Sequence, residues 1–70
     1  MNKKIIDLAG QKYGEGVQRC KSKEEISEFC QILCILVVKT IHGIEGNEFK
    51  KDFIRAAVED NEAINPVMVN

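Results

Sequence analysis

The sequence predicts an all-α fold: a small three-helix domain with a long central helix and an extended C-terminal tail. Two observations carry this. Apolar residues recur at helical spacing in three segments separated by turn signals, and Ser22-Lys23-Glu24-Glu25 is a helix-starting signature ahead of the longest apolar run. A third, Pro66, turns Asn65 away from helix and marks the tail as extended. The expected elements are helices at about 3–20, 23–42 and 48–59 and a tail at 62–70, all in one domain spanning residues 1–70.

In the first helix, Ile5, Leu8, Ala9, Tyr13, Gly16, Val17 and Cys20 share one side, and Asp7, Gln11, Glu15 and Gln18 the other. Asn2 suits the N-cap. Gly10, Gly14 and Gly16 weaken the helix by up to about 1 kcal/mol each relative to alanine. It therefore either stops near Tyr13 and restarts or depends on close packing against a neighbour.

The second helix has the clearest limits. Ser22 and Glu25 can exchange side-chain and backbone hydrogen bonds in a capping box. Glu24, Glu25 and Glu28 suit the positive end of the helix dipole, Lys39 and His42 the negative end, and Gly43 a left-handed stop. Such a helix would be about 30 Å long. The rival is a buried strand over Ile32 to Val38, where β-branched residues are frequent, but the cap, charge gradient and glycine favour helix. Asn47 should cap the third helix, which turns Phe49, Phe53, Ala56 and Ala57 inward.

Phe29 to Val38 contains one polar side chain, Gln31. On a helical wheel Ile26, Phe29, Cys30, Leu33, Leu36, Val37 and Ile41 form a wide core stripe. Ile32, Ile35 and Val38, with Gln31 beside them, form a second apolar strip where a polar face is expected. Two short flanking helices cannot easily cover both. An uncovered apolar patch of this kind marks an interface. The expected contact surface is therefore Gln31, Ile32, Ile35, Val38 and His42, joined by Ile54 and Val58 on the third helix, and the expected partners are a second copy of the chain (a homodimer) and another protein. The competing arrangement folds Ala63 to Val69 over the second strip, the commoner fate of so apolar a tail; otherwise the tail adds to a partner as an extended segment.

A chain this short is marginal without a disulfide, a metal or a partner subunit. Its three cysteines cannot close into a disulfide framework and fit a reducing, cytoplasmic setting. The apolar run after Lys4 is too short for a secretory signal, and Lys39 ends the central run too early for a membrane span, so no membrane partner is expected. Net charge is −1. It is uneven: through Lys23 six basic residues face two acidic ones, a net of +4, and beyond it four face nine, a net of −5. The dipole is read as helping one half dock on the other.

No catalytic, cofactor-binding or metal site is expected. Cys30 and Cys34 lie i,i+4 inside the most apolar stretch, where free thiols usually serve as core residues, and His42 stands about 12 Å along the axis from Cys34. Zinc sites and nucleophilic triads need tighter groupings. The glycines form no phosphate loop. Lys50, Lys51 and Arg55 could contact DNA, but Glu48 and Asp52 interleave with them and the charge balance disfavours nucleic acid. The expected function is thus non-catalytic: a small regulator, adaptor or inhibitor. Short, acidic, motif-free inhibitors of host machinery are often encoded by phages and mobile elements, an analogy of type with no motif behind it. The alternatives are a DNA-binding regulator and a small-molecule sensor with a pocket at a dimer seam.

Overall fold

The structure, a computed structural model, describes residues 2–65, which form three α-helices in the order α1 (Lys3–Arg19), α2 (Lys23–Glu45) and α3 (Asn47–Glu59). The chain is all-α, as the periodicity predicts, and Ile32 to Val38 are helical. Two compact units are present, one within residues 2–30 and one within residues 31–65. α2 is a single uninterrupted helix of 23 residues that contributes to both.

In the first unit α1 begins at Asn2, whose side-chain oxygen accepts from the Lys4 amide at 2.8 Å. The three glycines do not break it. Gly16 shows why one of them is needed: a Cβ there would stand 2.8 Å and 2.9 Å from two Cε atoms of the Phe29 ring. The absent side chain lets the aromatic ring approach the α1 backbone. α1 ends at Cys20, whose backbone is extended and whose amide donates to the Val17 carbonyl at 3.1 Å. α2 then starts on Ser22, whose hydroxyl accepts from the Glu25 amide at 3.1 Å. The reciprocal half of the expected box is displaced by one residue: Glu25 Oε1 accepts from the Lys21 amide at 3.2 Å. Ile26, at 5% exposure, is the one buried side chain among the described residues. Val17, Cys20, Phe29 and Cys30 are half-buried around this end of the fold.

In the second unit the expected stop is corrected. Gly43 is helical, and α2 ends at Glu45. The terminator is Gly46, whose φ of 91° and ψ of 175° lie in a region essentially closed to residues with a Cβ. Its amide donates to the His42 carbonyl at 3.0 Å, and its own carbonyl accepts from the Lys50 amide at 3.2 Å. One residue thus closes α2 and opens α3. Asn47 is consequently the first residue of α3 rather than its cap, and no side chain caps this helix.

The expected inward faces also need correction. Phe49, Phe53, Ala56 and Ala57 are exposed, whereas Lys50 and Ile54, four residues apart, are half-buried. Periodicity offered two faces, and the covered one carries a lysine stem and an isoleucine rather than the aromatic rings. On α2, Phe29, Cys30, Leu33 and Ile41 are half-buried as expected, but Leu36 and Val37 are exposed. The apolar circumference of α2 exceeds what its neighbours cover. Beyond α3, the Glu62 amide donates to Asp60 Oδ1 at 2.8 Å, a local turn, and Ile64 is 79% exposed. The remainder of the expected tail, 66–70, lies outside the described residues.

Candidate interaction surface

The second apolar strip of α2 faces solvent. Ile32 is 52% and Ile35 55% exposed, Gln31 and His42 are exposed, and Val38 is half-buried. The described part of the tail leaves Ile64 in solvent as well. Leu36, 56% exposed and four residues beyond Ile32, widens the strip. Its i,i+4 spacing from Ile32 places it on the border between the two apolar stripes, the signal by which sequence reasoning could have assigned it outward.

One polar group beside the strip is turned back on the helix. The Thr40 hydroxyl donates to the Leu36 carbonyl at 2.9 Å, consuming its polarity inside α2. At the strip's ends stand charged side chains: Glu24, Glu25 and Glu28 toward the start, Lys39 toward the finish.

α3 carries a further apolar surface. Phe49 and Phe53, four apart and both exposed, form a face that sequence reasoning had turned inward. Of the two residues expected outward on this helix, Val58 is exposed and Ile54 is half-buried. Ile54 lies on the covered side, away from Phe49 and Phe53. α1 adds exposed Ile5, Ile6 and Leu8. Every helix therefore presents large apolar side chains to solvent.

The basic residues considered for nucleic acid divide. Lys51 and Arg55 are exposed four residues apart, while Lys50 is half-buried. Asp52 is exposed between them, so the face is of mixed sign.

The thiols are not a buried set. Cys20 and Cys30 are half-buried, but Cys34 is exposed, correcting its expected place in the core. Cys20 Sγ donates to the Gly16 carbonyl at 3.4 Å. Desolvation of its partly buried thiol, then the nearby Glu25 carboxylate and then Cys30, push the Cys20 pKa above its ordinary value. A raised thiol pKa is the opposite of what an activated nucleophile needs. Among the described residues no three His, Cys, Asp or Glu side chains are grouped to hold a metal.

α2 is long and apolar enough, by length and composition, to cross a membrane. Its charges qualify that. Between Glu28 and Lys39 lie ten residues, about 15 Å of helix, against a hydrocarbon layer of about 30 Å. Compared with known proteins, the chain matches no family model, no curated protein and no solved structure.

Proposed function

We propose that this chain is a non-catalytic protein–protein interaction module, a small regulator, adaptor or inhibitor that associates with itself through α2. The single observation that supports the reading best is the solvent-facing strip of Ile32, Ile35 and Leu36 in the middle of the longest helix. Contiguous apolar surface is a cost in water and a gain at an interface. Burying the exposed half of each such side chain contributes roughly 1 kcal/mol. Self-association would also bury apolar surface that the described residues, with Ile26 as their one buried side chain, leave in solvent.

Three free thiols fit a reducing, cytoplasmic setting. The short uncharged span of α2 favours a protein partner over a lipid one. The DNA-contact alternative draws on Lys51 and Arg55; loss of a low-salt gel shift on reversing both charges would support it.

Sedimentation velocity over a concentration series tests the main reading. A dimer is expected at high micromolar concentration, and Ile35→Glu should yield monomer or unfolded chain. A wild-type chain that stays monomeric there ends the self-association reading.

A further inference from the structure

Resting on that self-association, we infer that two copies pair antiparallel through α2 in one register, along a seam of Glu25, Glu28, Ile32, Ile35, Lys39 and His42. These six positions are spaced alternately by three and four residues, the interval of a coiled-coil seam. All six are exposed on one uninterrupted helix. At about 100° per residue they fall on one side of α2, opposite the buried Ile26.

The order of chemistry along the seam selects the partner and its direction. Reading along α2 the seam is acidic, acidic, apolar, apolar, basic, histidine. A parallel copy would set Glu28 against Glu28 and Lys39 against Lys39, like charges at both ends of the seam. An antiparallel copy, centred between Leu33 and Cys34, sets Ile32 against the second copy's Ile35, Glu28 against its Lys39 and Glu25 against its His42. Each match occurs twice by symmetry. Sliding the copies by seven residues either way lays an isoleucine against Glu or against Lys and His, so one register satisfies every position. The seam thus reads the same from both ends, the self-complementarity that a two-fold interface requires.

Charge exchange within the seam tests this. Sedimentation equilibrium at low salt would compare wild type, Glu28→Lys, Lys39→Glu and the double exchange, with helix content checked by circular dichroism. Each single exchange should weaken pairing about tenfold, because two symmetry-related pairs turn from attraction to repulsion. The double exchange should restore it, because the two charges have then traded places and opposite signs face each other again. Lys39→Gln, which deletes charge without repulsion, should give a smaller loss and serves if a charge reversal unfolds the chain. If the wild type dimerises but single exchanges leave the affinity unchanged, or the double exchange is no better than either single one, the register is wrong and self-association stands. If the wild type is monomeric, or enters neutral lipid vesicles as a monomer, both the register and the reading beneath it fall.

Discussion

The ring of Phe29 on α2 occupies the space beside Gly16 on α1 where a side chain would stand. Two helices meet at one glycine, and the contact lies one turn from the buried Ile26. Alanine at Gly16 would gain about 1 kcal/mol of helix propensity but force the ring away, an overpacking that costs about 1–3 kcal/mol. Gly16→Ala should therefore lower Tm. Gly10→Ala, where a Cβ meets nothing within 4 Å, should raise it by the propensity gain alone. Thermal melts of the two variants followed by circular dichroism check the contrast.

A second pair of glycines separates a helix interior from a helix end. Gly46 holds a φ of 91°, and Gly43 is helical with open space around it. Gly46→Ala should destabilise the chain by about 1–3 kcal/mol through backbone strain. Gly43→Ala should stabilise it by up to about 1 kcal/mol. Denaturant titration gives both signs, and the reverse order would place the terminator of α2 at Gly43.

The start of α2 depends on one hydroxyl. With the Glu25 amide 3.1 Å from Ser22 Oγ, Ser22→Ala should cost about 1 kcal/mol, and Ser22→Asp should retain most of the stability. Chemical denaturation of the two variants distinguishes a cap from a mere surface hydroxyl.

An exposed thiol should react before the half-buried Cys20, whose raised pKa keeps it protonated longer. Cys34 is exposed, whereas Cys20 is half-buried with a raised pKa, so a thiol-specific reagent at mildly alkaline pH should modify Cys34 before Cys20. Peptide mapping by mass spectrometry reads the order. The same shift links stability to pH. Above the ordinary thiol value of 9.0 the unfolded chain loses this proton before the folded chain does. The folded state then binds more protons, and stability falls as pH rises. Cys20→Ser should remove that part of the alkaline loss, seen as a difference in denaturant midpoints between the two proteins.

The features legible in the sequence are those settled within a few residues. Asn2 capping α1 and Ser22 starting α2 are local hydrogen bonds, and their residue types announce them. The length of α2 was less legible because two glycines three residues apart compete to end it. Ile44 and Glu45 can continue a helix, so the stop moved to Gly46. Which face of α3 is covered was not legible: Phe49 with Phe53, and Lys50 with Ile54, are both i,i+4 pairs, and tertiary packing chose the second. The α2 strip was legible at Ile32 and Ile35 because three-and-four spacing puts them opposite Ile26. Leu36 escaped because it sits where two apolar stripes merge.

Ile26 is the one buried side chain among the described residues, so those residues enclose little apolar surface on their own. If copies complete one another, the folded fraction rises with abundance, because binding that requires the native state draws the equilibrium toward it. Scarce molecules would then open more often and be degraded faster than plentiful ones. Such a protein would accumulate sharply once synthesis outpaces turnover and vanish soon after synthesis stops, giving its action a threshold and a short memory.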